Sequence, residues 1–294
     1  MQRTCRHIQI VTPRKYVLDG LWFGAARPKR AIIFVHGLSN DAFSKHALVA
    51  PLASATTAVI YFSNRGHDVV TGIKRLDRLT PKGYRRVWGG VAHEVFTDCV
   101  DDVQGAINFV HKQGVRKVYL VGHSTGCQKI VYTLSKMRQQ SAIAGAVLLC
   151  PVSYYASVKK TTKPKELAQA QRAARALVKQ GKPHQLLPYD VWPTPLDAQR
   201  FLSLYTPDSK EEIFTYAQPK KLPRTLQKVR VPLLTVLAGS DEYHDRGTPE
   251  LVTWFKNHIT SARSTVFAIP GATHNFTSKE HQVVRAVGNW MSQN

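Results

Sequence analysis

Short, mostly apolar runs recur along this chain, each followed by turn-forming residues and then by a stretch with helical spacing. Residues 31–35, 58–62, 118–121, 144–150, 231–238 and 265–269 are such runs. Their length and continuity predict strands covered on both faces, as in a parallel sheet with helices on either side. Residues 8–11 and 16–18, on either side of Pro13, alternate and predict two half-buried strands. Helix is predicted over 43–53, 94–112, 128–137 and 279–291. The clearest is 94–112, where Val95, Phe96, Cys99, Val100, Val103, Ile107 and Val110 recur every three or four residues and Gly114 follows as a stop. Asp98, Asp101 and Asp102 fall off that stripe and are expected on its solvated side. Residues 63–68 are turn-forming, and the stretch from there to about Gly90 carries no comparable pattern and reads as a basic loop.

Helices alternating with buried strands imply an α/β fold with a mostly parallel, doubly wound sheet, because right-handed crossovers are the rule. The pattern breaks after Pro151. Residues 153–228 hold no convincing buried strand. Pro164 and Gly181 bracket a helix with Leu167, Ala170, Ala174, Leu177 and Val178 on one face, and a proline-rich stretch follows. The expected organisation is therefore a core of residues 1–152 and 229–294, with 153–228 inserted as a helical cap. That cap is rich in Lys and Arg and is expected to govern substrate choice, favouring acids by electrostatic steering.

The local chemistry centres on Gly122-His123-Ser124-Thr125-Gly126, which lies between a predicted strand and a predicted helix. A serine on such a sharp turn stands clear of the sheet, and the helix start offers free N–H groups. Serine is a poor nucleophile until a base takes its proton, and the base needs an acid to orient it. In a sheet of this kind the acid and the base follow on later strands. Asp241 comes just after the 231–238 run, with Glu242 or Asp245 as the alternative acid; His274 comes just after 265–269. The expected catalytic set is Ser124, Asp241 and His274. Backbone N–H groups of Leu38 and Thr125 are expected to hold the oxyanion, with Ser39 as the alternative to Leu38. His36 and His123 flank these turns and are expected as packed scaffold rather than as further bases.

His36-Gly37, the Gly122–Gly126 turn, Asp241 and His274 together resemble the α/β-hydrolases over most of the chain's length, the 153–228 segment excepted. Gly122-His-Ser-Thr-Gly-Cys-Gln128 is also similar to a subgroup that includes fungal siderophore esterases. So are Ala198-Gln-Arg-Phe-Leu-Ser-Leu, Pro207-Asp208-Ser209 and Glu211-Glu212-Ile213-Phe214. The resemblance implies an α/β-hydrolase fold, and the subgroup implies a hydroxamate ester as substrate. Residues and resemblance together lead to a serine hydrolase that cleaves a carboxylic ester through an acyl-enzyme and needs no cofactor. The alternatives are an amidase, peptidase or acyltransferase using the same residues, or a non-catalytic receptor with the same fold.

Composition narrows the rest. At 294 residues with 43% hydrophobic content the chain can bury a full core. No apolar run approaches the ~20 residues that a membrane span needs. Met1-Gln-Arg-Thr-Cys-Arg-His7 has no apolar stretch behind its basic residues, so no secretory leader is expected and a cytoplasmic location is. Cys5, Cys99, Cys127 and Cys150 lack metal or redox spacing, and the 12 histidines form no ligand pair, so no metal site is expected. The formal charge of +22 attracts anions, and a small-molecule acyl ester, anionic esters included, is the expected partner. The basic residues are dispersed and no nucleic-acid motif accompanies them, so no specific nucleic acid is expected.

Overall fold

The computed structural model describes residues 4–294, so the first three positions of the N-terminal stretch lie outside the described residues. Ten strands form one sheet: β1 (Cys5–Val11), β2 (Tyr16–Phe23), β3 (Arg30–Val35), β4 (Thr57–Phe62), β5 (Thr71–Leu76), β6 (Tyr84–Gly89), β7 (Lys117–His123), β8 (Ile143–Leu149), β9 (Leu233–Ala238) and β10 (Thr265–Ile269). Their order is β10-β9-β8-β7-β3-β4-β2-β5-β6, with β1 paired to β2. Every neighbouring pair from β10 to β4 is parallel, whereas β1, β2, β5 and β6 pair antiparallel. The chain therefore leaves β3 toward β4 on one side and reaches β7 on the other. Such a switch in strand order opens a crevice at the carboxyl ends, where ligands bind in sheets of this class.

The helices are α1 (His46–Val49), α2 (Cys99–Lys112), α3 (Thr125–Lys136), α4 (Tyr154–Thr161), α5 (Pro164–Lys179), α6 (Ala198–Tyr205), α7 (Thr248–His258) and α8 (Glu280–Gln293). Successive strand residues serve opposite faces of the sheet. Ala31, Ile33 and Val35 pack with Val103, Ile107, Ile130 and Phe255 from α2, α3 and α7. Ile32 and Phe34 pack with Leu48, Val49, Val283 and Val287 from α1 and α8. Burial on both faces is why these strands read as unbroken apolar runs.

Three sequence expectations need correction. Residues 69–90 are not a loop: β5 and β6 form an antiparallel hairpin that extends the sheet. Its residues are mostly half-buried or exposed, so backbone pairing proceeds without the apolar run that marks an inner strand. Asp101 and Asp102 are buried rather than solvated, because the first turn of α2 packs against Arg65 in the loop after β4. The stretch 43–53 is helical only over α1 and a 3-10 turn at 50–52, where Pro51 falls in the first turn and withholds a backbone donor.

Between β8 and β9, residues 150–232 contribute no strand to the sheet. Here α4, α5 and α6 enclose a separate apolar cluster of Val158, Leu167, Ala170, Ala174, Phe201 and Leu204, against which Leu38 and Tyr154 also pack. Val178, expected on that face, is instead exposed. A chain of buried ions joins this insert to the sheet layer. Arg200 of α6 meets Glu94 at 2.8 Å and Glu211 at 2.5 Å, and Lys129 of α3 meets Glu94 at 2.5 Å. Among the described residues no helix is long and apolar enough to cross a membrane.

Candidate active site

Ser124 connects β7 to α3 with φ 54° and ψ −122°, in the region where side chains are disfavoured. A backbone held there costs on the order of 1–3 kcal/mol and persists only where its surroundings enforce it. They do. The Ser124 N–H donates to the carbonyl of Leu149 on β8, and the Cys127 N–H donates to the carbonyl of Ser124, both at 2.9 Å. A Cβ at Gly126 would stand 2.0 Å from the Val35 carbonyl oxygen, and one at Gly122 would stand 2.5 Å from the backbone of Gly126. Two glycines thus let α3 settle onto β3 and fold the turn beneath the serine.

Asp241 leaves β9 and His274 leaves β10, and the two meet with Asp241 Oδ2 2.8 Å from His274 Nδ1. Burial alone would raise the Asp241 carboxyl, but the hydrogen bond and charge of His274 and the charge of His244 outweigh it and hold it below its ordinary range. An ionised carboxylate accepts only, so Nδ1 of His274 carries a proton and donates it to Asp241. The Tyr243 N–H also donates to Asp241 Oδ1, at 3.0 Å. Glu242 acts elsewhere: its carboxylate accepts from the His274 backbone N–H at 3.0 Å. Asp245 pairs with Arg246.

The flanking histidines are buried. His36 Nδ1–H donates to the Gly37 carbonyl and its Nε2 accepts from the Asn64 N–H; burial, with Lys129 nearby, pushes it down to about 3. His123 Nε2–H donates to the His274 carbonyl at 2.9 Å, and burial followed by the charge of His274 pushes it down to about 3. Both rings are neutral at physiological pH and brace backbone.

Ser124 and His274 line one cavity of about 290 Å³ together with Leu38, Tyr154, Tyr243 and Asn275. Among the described residues Ser124 Oγ forms no hydrogen bond to His274; its partner is Tyr154 Oη of α4, at 3.3 Å. The same phenol lies 2.7 Å from Thr125 Oγ1. Tyr154 escaped the sequence reading because nothing in the local pattern says that α4 folds back over β7. Thr125 opens α3, where an N–H has no acceptor one turn back. The Leu38 N–H finds no backbone acceptor among the described residues. None of the insert's Lys or Arg residues lines the cavity. Lys160 of α4 instead donates to the carbonyls of Glu242 and His244, fastening the insert to the Asp241 loop.

Two further features of the molecule stand beside this cavity. A larger one of about 410 Å³ lies between β6 and α2, lined by Tyr16, Arg65, Trp88, His93 and Cys99, and holds no member of the Ser124 set. Among the described residues one group of metal-ligating side chains comes together, Cys150, Asp241 and His274, with ligand atoms within 4.8 Å of one another. Its imidazole Nδ1 is engaged by Asp241, and burial drives the thiol well above its ordinary range, so the group is built for the hydrogen bond it already makes.

The family described as "Protein of unknown function (DUF1749)" matches residues 86–292. A search of the curated proteins finds no match. Among solved structures, the siderophore hydrolase EstB from Aspergillus fumigatus is 18% identical with a TM-score of 0.68, over 100% of this chain and 98% of that one. Est1E from Butyrivibrio proteoclasticus, bound to ferulic acid, is 16% identical with a TM-score of 0.64, over 97% of this chain and 98% of that one. The esterase Pf2001 of Pyrococcus furiosus is 15% identical with a TM-score of 0.60, over 99% of this chain and 91% of that one. These likenesses establish the α/β-hydrolase fold.

Proposed function

The chain belongs to the DUF1749 family, and on that premise we propose that it is a serine hydrolase of carboxylic esters. One observation carries the reading: a serine held in the left-handed region at a strand-to-helix turn shares a cavity with a histidine whose far nitrogen is bound by a buried carboxylate. The names of the structural neighbours, an esterase and a siderophore hydrolase among them, point the same way.

In this reading Ser124 Oγ attacks the acyl carbon while His274 Nε2 takes its proton. Asp241 keeps the imidazole in the required tautomer and stabilises the imidazolium. The N–H groups of Leu38 and Thr125 hold the oxyanion as the carbonyl becomes tetrahedral. His274 returns the proton to the departing alcohol. A water then attacks the acyl-enzyme with His274 again as base, and the acid leaves as Ser124 regains its proton. Tyr154 fits this sequence if Thr125 donates to Tyr154 and Tyr154 donates to Ser124, which leaves the Ser124 proton for His274.

The test is Ser124→Ala, assayed on short-chain aryl esters and for labelling by a fluorophosphonate. Activity should fall by roughly 10⁴ and labelling should vanish, because only oxyanion and binding effects remain. Near-full hydrolysis by a correctly folded Ser124→Ala protein would sink the proposal.

A further inference from the structure

Buried cations in this molecule are answered by carboxylates. Arg65 meets Asp98, Asp101 and Asp102, Lys129 meets Glu94, and Arg200 meets Glu94 and Glu211. Lys45 is different. It stands in the loop after β3 with φ 56°, and it lines the cavity that holds Ser124 and His274. Its ammonium donates to the side-chain oxygen of Asn275, a neutral amide, at 2.5 Å. Among the described residues no carboxylate forms an ion pair with it. Glu242 is spent on the His274 backbone, and although Glu242 and Glu280 are near enough to attract Lys45, neither touches it.

The rest of the lining fits the same account. Among the described residues no Asp or Glu lines the cavity; Ser39, Asn40, Tyr243 and Asn275 supply neutral hydrogen-bonding groups around the Lys45 ammonium. Half-burial takes water from Lys45 and lowers its pKa, a cost that an anionic partner inside the cavity reverses. At about 290 Å³ the cavity is at the small end for ligand sites, so a substrate charge held at Lys45 inside it lies close to the carbonyl that Ser124 attacks.

We propose that the site selects small esters bearing a carboxylate close to the scissile bond, with Lys45 as the residue that pairs with it. This specificity rests on the ester-hydrolase reading above. It differs from steering by the insert's surface charge, because the pairing is made in a partly dehydrated cavity and outlasts added salt.

The experiment compares two aryl esters with the same leaving group, a hemisuccinate and a neutral butyrate, at high ionic strength. The readout is the ratio of their kcat/KM values in the wild type, Lys45→Met and Lys45→Gln. The wild type should prefer the hemisuccinate at least tenfold. Both variants should lower that ratio by roughly 10- to 100-fold, the worth of one charge-assisted hydrogen bond, chiefly through KM of the anionic ester. Fluorophosphonate labelling of Ser124 in the same samples keeps the two readings apart. Normal labelling with no anionic preference, or with a preference that the variants leave intact, overturns the Lys45 assignment while the serine hydrolase stands. Failure of the wild type to label or to hydrolyse either ester removes both.

Discussion

The strand ends supply Ser124, Asp241 and His274 through backbone turns, whereas the helical insert supplies Tyr154 through side chains that cross from one layer to another. On the strand side the geometry is fixed by main-chain hydrogen bonds and by contacts that leave no room for a Cβ at Gly122 or Gly126. On the insert side it is fixed by Arg200 between Glu94 and Glu211, by Lys160 on the Asp241 loop, and by Ser153, whose hydroxyl donates to Glu212. Backbone turns set where chemistry happens and tolerate little change. Buried ion pairs add little net stability yet are costly to break from one side, so the insert's position depends on single side chains.

The largest effect that separates the two sides is expected from Asp241→Asn. An amide there stabilises the wrong His274 tautomer, and kcat should drop by about 10⁴ without loss of fold. Glu242→Gln should be far milder, since Glu242 holds only the His274 backbone. Steady-state kinetics on both variants decides the matter, and the reverse ranking would move the acid to Glu242.

Next comes the link between layers. Arg200→Met leaves Glu211 buried with Ser203 alone and Glu94 with Lys129 alone, and should cost about 3–5 kcal/mol in denaturant unfolding. A loss under about 1 kcal/mol would show that the insert is held by its apolar cluster instead. Tyr154→Phe sharpens the comparison further. It removes one neutral hydrogen bond to Ser124, so kcat/KM should fall up to about tenfold, with fluorophosphonate labelling slowed but retained.

The last effect is one of pH. Burial pushes the Glu212 carboxyl up to about 7 from an ordinary value of 4.5. The folded state therefore binds that proton more tightly than the unfolded chain does. Its stabilising contribution is complete below 4.5 and is lost as pH rises through about 7. Glu212→Gln cannot ionise, so its stability relative to the wild type should climb across that window and level off above it. A pH series of unfolding midpoints measures the climb, and parallel curves would contradict the burial argument.

Much of the strand side was legible in the sequence because its signals are local. The runs at 31–35 and 58–62 coincide closely with β3 and β4, since strands covered on both faces need apolar residues throughout, and 265–269 coincides with β10 although that edge strand is only partly buried. The glycines at 122 and 126 sit within four residues of the turn they permit. Asp241 and His274 meet because each follows a parallel strand, and adjacent parallel strands bring their carboxyl ends together.

Tertiary structure decided the rest, mostly through partners remote in the chain. The β5–β6 hairpin lacks an apolar run because its strands pair through backbone at the sheet's margin. Asp101 and Asp102 follow the helical period of a solvated face, yet Arg65, 36 and 37 residues away, draws them inside. Tyr154 finds Ser124 across 30 residues and Lys45 finds Asn275 across 230. A hydrophobic period reports what a segment needs from its surroundings, whereas the state of a charge or a hydroxyl depends on which groups packing sets beside it. That is why the turn that carries the serine is written in five consecutive residues, while the groups that surround it emerge only when the layers close.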